Sequence, residues 1–311
     1  MNGDFEDLGN GVYCIDAHYG RPGIACFYAM VEKDAVAFIE TGVSSSLQQA
    51  LALLVALDRK PEQVRYVMPT HVHLDHAGGA GAMMRAFPEA ELIVHPRGAR
   101  HLIDPTRLIE GTRAVYGDEA FDRLYGEIPP VPEARVIAAS DGDRFDLAGR
   151  TLHIVDTPGH AYHHYCVVDE ASRGIFTGDT FGLSYPNLLD HQGRRFVVPT
   201  TTPIHFNPEA LKQSVTRLMA FRPERMYLTH FGVLPDPADH VDEYLGWIDR
   251  FVALTEAVAP IDDERLPQLV DALGTALTEG HGLDEQALDW LRNDLELDAQ
   301  GLAYWYRHRD D

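Results

Sequence analysis

Cysteine is scarce in this chain: Cys14, Cys26 and Cys166 are the only three in 311 residues, and no C-x-x-C pair occurs. Neither a disulfide framework nor a thiolate zinc site is expected, and the usage fits a reducing cytoplasm. No apolar run reaches the length of a membrane span. The N-terminus, Met-Asn-Gly-Asp-Phe-Glu-Asp, is acidic and lacks the apolar segment of a signal peptide. Cationic residues are also few, 26 Lys and Arg against 48 Asp and Glu, for a formal net charge of -22. Such a surface repels nucleic acid and anionic lipid at long range, so neither is expected as a partner. No G-x-S-x-G elbow, internal repeat or low-complexity tract is found. What the chain does have is 45% hydrophobic residues, enough at this length for a large core in one big domain or a domain plus an appendage.

Its chemistry concentrates in Thr70-His-Val-His-Leu-Asp-His-Ala-Gly-Gly79, where three histidines and a carboxylate fall within six residues. Imidazole nitrogen and carboxylate oxygen are ligands for zinc and for non-haem iron or manganese. In an extended backbone His71 and His73 point the same way, because side chains repeat every two residues, and can chelate one ion together. Asp75 and His76 fall where the chain must turn, in position to face a second ion. Val64 to Thr70 reads as a buried strand, and Gly78-Gly79 permits a tight turn into a helix over about 79–87. Ligands in the loop between a strand and a helix are where α/β proteins place function.

Elsewhere, strands are expected over residues 11–18, 24–31, 35–39, 92–95, 144–147, 151–156, 165–169, 174–177 and 225–228, and helices over 47–57 and 208–221. Asn207 and Pro208 supply the cap and first residue of the latter helix. His95 and His101 read as structural or surface residues. Residues 103–133 read as an irregular insertion over the site, with Arg113, Tyr116 and Tyr125 more simply explained as surface helix. The long loop 181–206 is a candidate substrate rim, offering Tyr185 and His205 as substrate contacts. From about 236 the pattern turns wholly helical, with amphipathic stretches at 241–258, 264–277 and 284–306. The expected division is a catalytic domain, 1–235, and a C-terminal helical segment, 236–311, which offers a surface for a homodimer contact.

H-x-H-x-D-H followed by Gly-Gly resembles the signature of the metallo-β-lactamase fold superfamily. Thr157-Pro-Gly-His160, Phe176-Thr-Gly-Asp-Thr180 and Leu228-Thr-His-Phe-Gly232 match the rest of its pattern in order, so the resemblance covers roughly residues 10–235. It implies a four-layer αββα sandwich of the α+β class, with two mixed sheets. It implies that His71, His73 and His160 bind one ion, that Asp75, His76 and His230 bind another, and that Asp179 bridges them. His163 and His164 are the competitors of His160. Two divalent ions, zinc with iron or manganese as alternatives, would then generate a bridging hydroxide nucleophile, with Asp75 shuttling a proton to the leaving group. Phe-Thr-Gly-Asp-Thr is similar to the hydroxyacylglutathione hydrolases, lactonases and related thioesterases, which implies a hydrolase of a small ester, thioester or lactone. The alternatives are a diiron or mononuclear iron redox protein, such as a persulfide dioxygenase, and a phosphodiesterase. Glu40-Thr-Gly42 departs from the superfamily's usual Asp-x-Gly, and the longer side chain must reach its partners differently.

Overall fold

The computed structural model describes residues 5–262 and 264–309. The first four residues of the N-terminal stretch read above lie outside the described residues. The chain forms two compact units. The first comprises the chain up to Asp156 together with His163–Gly178 and Glu224–Pro235. The second comprises Thr157–Tyr162, Asp179–Pro223 and the chain from Asp236 on.

The first unit holds two mixed sheets. One contains β1 (Phe5–Asp7), β2 (Val12–Asp16), β3 (Cys26–Glu32), β4 (Ala35–Ile39), β5 (Val64–Met68), β6 (Glu91–Val94) and β7 (Val136–Ala138), hydrogen-bonded in that order. Pairing is antiparallel from β1 to β4 and parallel from β4 to β7. Parallel neighbours need crossovers, and helices make them. These are α1 (Leu47–Ala56) before β5, then α2 (Leu74–Ala77) and α3 (Ala80–Ala86) before β6. Between β6 and β7 come α4 (Pro96–Ile103), α5 (Thr106–Tyr116) and α6 (Asp118–Leu124). Every side chain of β4 is buried, as a strand covered on both faces requires. Leu53 and Leu54 of α1 and Met83 of α3 pack with Phe27, Phe38 and Phe87, the last two stacked 5.3 Å apart. Each such ring contributes roughly 2–3 kcal/mol by leaving water.

The second sheet has the order β13-β12-β11-β10-β9-β8, from β8 (Arg144–Leu147), β9 (Arg150–Asp156), β10 (Tyr165–Asp169), β11 (Gly174–Gly178), β12 (Arg225–Leu228) and β13 (Gly232–Pro235). Only β11 and β12 pair in parallel. The two sheets meet through aromatic rings. Tyr28 of β3 lies edge-on to Phe176 and Tyr227 at 5.2 and 5.5 Å, and donates its hydroxyl hydrogen to Leu228 O at 2.5 Å. Tyr165 likewise donates to Ile93 O at 2.9 Å.

The second unit carries the loop from Asp179 and four helices: α7 (Pro208–Met219), α8 (Val241–Val258), α9 (Leu266–His281) and α10 (Glu285–His308). Asn207 and Asp284 cap α7 and α10 as their side chains accept from Ala210 N–H and Ala287 N–H. No helix of the described residues is long and apolar enough to cross a membrane.

The expected strands and C-terminal helices are found, with three local differences. The metal-loop strand stops at Met68 rather than Thr70, because the Thr70 N–H turns to the Glu40 carboxylate instead of a ladder partner. The helix expected over 79–87 is α3, and a further short helix that was not expected, α2, precedes it across Gly78-Gly79. Within 103–133 the chain is mostly helical, and Arg113 pairs with Asp118 and Asp122 at 2.8 and 2.6 Å.

Gly79 and Gly111 make a contrasting pair. A Cβ at Gly79 would lie 2.6 Å from Thr41 O and 2.8 Å from Val43 O, both fixed backbone. At Gly111, within α5, it would meet nothing within 4 Å. Gly79→Ala should therefore destabilise the protein by about 1–3 kcal/mol, whereas Gly111→Ala should stabilise it by about 0.5–1 kcal/mol. Urea unfolding of the two variants checks the opposite signs.

Candidate metal centre

Four segments of the first unit converge on one carboxylate. Glu40 follows β4, Thr70 follows β5, His76 lies on α2, and Thr229 follows β12. Glu40 is 1% exposed. Its Oε2 accepts from Thr70 N–H at 3.0 Å; its Oε1 accepts from the hydroxyls of Thr70 (2.5 Å) and Thr229 (3.2 Å) and faces His76 Nδ1 at 3.0 Å. A buried carboxylate is tolerated when its lone pairs are met in this way. Glu40 lies close enough to His71 and His76 to be counted with them as a donor. With its oxygens engaged by these four partners, however, it serves the site by orienting His76 and the Thr70 loop. That is how the glutamate side chain reaches its partners.

The imidazoles around it follow one pattern. His76 turns Nδ1 to Glu40, His230 turns Nδ1 to Ile24 O at 2.8 Å, and His71 turns Nδ1 to Thr70 Oγ1 at 3.1 Å. Thr70 donates its own hydroxyl hydrogen to Glu40, so its oxygen is left to accept from His71. An acceptor at Nδ1 fixes the proton there and leaves Nε2 as the ligand atom. His76 Nε2 and His230 Nε2 then lie 3.5 and 3.3 Å from Asp75 Oδ2. His71 Nε2 lies 2.8 Å from His73 Nδ1, so the expected convergence of that pair holds, in the loop beyond the strand end. The donor atoms of Asp75, His76 and His230 all lie within 4.8 Å of one another. Close, mostly buried nitrogens and carboxylate oxygens with their outer atoms already tied fit a divalent ion of the zinc, iron or manganese type.

Gly178, which ends β11, has φ +49, and a Cβ there would sit 2.3 Å from Thr70 Oγ1 and 2.5 Å from His164 Nε2. Glycine is thus needed for the close approach of the strand to the ligand loop. His164 and His163 lie beside the first pair, with ring centroids 4.8 Å from His71 and 5.6 Å from His73 respectively.

In the second unit His160 Nε2 lies 3.2 Å from Asp179 Oδ2. His160 Nδ1 faces Thr200 O at 3.3 Å, and Thr200 Oγ1 donates to the Asp179 carbonyl at 3.0 Å. The turn before His160 is anchored on α7: Asn207 N–H donates to Gly159 O and Ser214 Oγ to Pro158 O, at 2.8 and 2.7 Å. Tyr185 is buried, its hydroxyl 3.2 Å from Asp294 Oδ1 on α10, and His205 packs on Tyr162 with ring centroids 5.0 Å apart. His95 is structural as read: Nδ1 accepts from Arg97 N–H at the start of α4, and Nε2 faces Asp156 at 3.1 Å.

Sequence reasoning missed Thr70, Thr229 and the Ile24 carbonyl as supports, since none belongs to a ligand residue type. It also treated Tyr125 as surface. Tyr125 is buried, bonded to Tyr19 OH at 2.8 Å, and its phenol is pushed well above the ordinary range by burial, with Tyr19, Tyr116 and Asp75 adding to the effect.

Two mixed sheets with helices and His/Asp/Glu donor clusters define an α+β metal-binding protein. The chain belongs to the metallo-β-lactamase superfamily, whose family model matches residues 21–230. It is 28% identical over 218 residues to the metallo-β-lactamase fold-containing protein ST1585 of Sulfurisphaera tokodaii, covering 68% of this chain and 75% of that one. The crystal structure of ST1585 superposes with a TM-score of 0.68 at 24% identity, over 94% of this chain and 98% of that one. The chain is also 30% identical over 142 residues to an atrochrysone carboxyl ACP thioesterase of Aspergillus fumigatus, a match spanning 46% of this chain and 35% of that protein. To the coenzyme F420H(2) oxidase of Methanothermobacter marburgensis it is 24% identical over 279 residues, 84% of this chain and 61% of that one. The fold class expected above is that of this superfamily, and the expected C-terminal helical extension follows the matched residues as α8, α9 and α10.

Glu40→Gln should weaken zinc binding about 10–100-fold with the fold retained, because an amide group cannot accept from every donor that now faces the carboxylate. Competition with a chromophoric chelator measures it, and wild-type affinity would count against the orienting role.

Proposed function

We propose that the protein is a dinuclear metal-dependent hydrolase of a small ester, thioester or lactone. The observation that carries this reading is the double donor set beside Glu40: His71 with His73, and Asp75 with His76 and His230, each mostly buried, with the outer nitrogens of His71, His76 and His230 tied. By the superfamily pattern, His160 completes the first set and Asp179 bridges the two ions. When bound, two such ions acidify a water and polarise a substrate oxygen. The chain's own residues supply the rest. Glu40, Ile24 and Thr70 hold the imidazoles to one tautomer, and the partly exposed Asp75 carboxylate is available to pass a proton to the leaving group. No serine or cysteine nucleophile is required. The thioesterase among the relatives supports an acyl substrate. The acidic surface supports a small-molecule substrate over nucleic acid.

A second reading has its own support. The likeness to the F420H(2) oxidase extends over most of this chain, so the same ligands loaded with iron would serve redox chemistry.

The two readings separate in one experiment. Purified protein is stripped with a chelator, reloaded with zinc, manganese or iron(II), and assayed on generic esters, thioesters and lactones and for oxygen consumption. Hydrolysis restored by zinc or manganese is expected; oxygen consumption confined to the iron form, without hydrolysis, would favour the second reading. Asp75→Asn should lower kcat about 10²–10⁴-fold, and Asp179→Ala should release at least one ion, since an unscreened pair of dications repels strongly. His95→Ala should keep wild-type kcat and lose about 0.5–2 kcal/mol of stability with the α4 cap. Full activity and two ions in Asp179→Ala would refute the bridging assignment.

A further inference from the structure

We infer that Asp298, on α10, is a positioning residue for the ligand His160, acting through the backbone of Thr200 and Thr201. The inference rests on the reading of His160 and Asp179 as ligands given above.

Asp298 is 2% exposed. Its Oδ1 accepts from Thr201 N–H at 2.7 Å, and Thr201 Oγ1 donates to the Asp298 main-chain carbonyl, also at 2.7 Å. The helix therefore grips Thr201 at two points, one from a side chain and one from the backbone. Nearly one turn further on, Gly301 allows the contact to be this close: a Cβ there would lie 2.6 Å from Thr201 Oγ1 and 2.7 Å from Thr202 N.

The residue before Thr201 does the work at the ligands. The Thr200 carbonyl faces His160 Nδ1 at 3.3 Å, and its hydroxyl donates to the Asp179 carbonyl at 3.0 Å. An acceptor at Nδ1 holds the proton on that nitrogen and presents Nε2. Any displacement of Thr200 alters both the tautomer of His160 and the backbone that carries Asp179. The segment that α10 holds is thus the one on which both side chains depend.

A purely structural role is the competing explanation. A buried carboxyl is costly beside an apolar side chain of similar size. Here the second oxygen, Oδ2, is buried and has no hydrogen-bond partner among the described residues. Burial, reinforced by the charge of Asp294, holds the carboxyl well above the ordinary carboxylate range, and asparagine keeps an Oδ1 that can accept from Thr201 N–H. What an apolar residue could not supply is the acceptor for Thr201 N–H.

The test uses the full-length protein in four variants, D298A, D298N, G301A and H160A. Each is titrated with Zn²⁺ against a chromophoric chelator and examined by absorption spectroscopy after Co²⁺ substitution. H160A should lose one ion. D298A should weaken one of the two Zn²⁺ ions about 10–100-fold, leave the other unchanged, and shift the Co²⁺ d–d bands. G301A should move in the same direction, and D298N should stay close to wild type. If D298A binds both ions with wild-type affinity and unaltered Co²⁺ bands while H160A loses one, the inference is wrong and the ligand reading stands. If H160A keeps both ions, the ligand reading itself fails. Should D298A not fold, G301A decides: a weakened single ion supports the inference, and wild-type affinity overturns it. Equal losses in D298N and D298A would also overturn it.

Discussion

The Glu40 carboxylate is the constraint on which the metal centre depends. A carboxylate at 1% exposure is tolerated only with nearly all its lone pairs met. Its partners come from α2, from the loop after β5 and from the loop after β12. Satisfying that one group therefore fixes three segments that are remote in sequence. It also sets the His76 tautomer, and through Thr70 it sets that of His71. The residue is at once a structural tie between the two sheets and the outer support of the donor set.

The second unit uses another device for a comparable end. Behind His160 stands a backbone carbonyl, that of Thr200, and the loop that supplies it is gripped by α10. A support of this kind depends on the helix being seated. That dependence gives the C-terminal extension a role in the chemistry beyond covering apolar surface.

Much of this was legible in the sequence because it rests on local periodicity. The two-residue repeat announced the meeting of His71 and His73, and the fully apolar run of β4, the mostly apolar run of β5 and the amphipathic pattern of α8, α9 and α10 gave their elements within a few residues. The three-residue strands β1 and β7 escaped, being too short to show a period, and β13 escaped because only Val233 and Leu234 stand between Gly232 and Pro235. The supports of the ligands escaped for a different reason. Ile24 and Thr229 act on residues 206 and 189 positions away, and Ile24 acts through a carbonyl that every residue possesses. Nothing in residue type marks such a group; only the tertiary fold selects it. Glu40 stood between these cases. Its departure from Asp-x-Gly drew attention to the position, and its four partners became readable only in three dimensions.

The most direct measurement is anomalous X-ray scattering at the zinc edge from crystals grown with Zn²⁺. Two peaks are expected, one bonded to the side chains of Asp75, His76 and His230 and one to those of His71 and His73, with the Glu40 carboxylate bonded to neither. A peak bonded directly to Glu40, or none at Asp75, His76 and His230, would contradict the account.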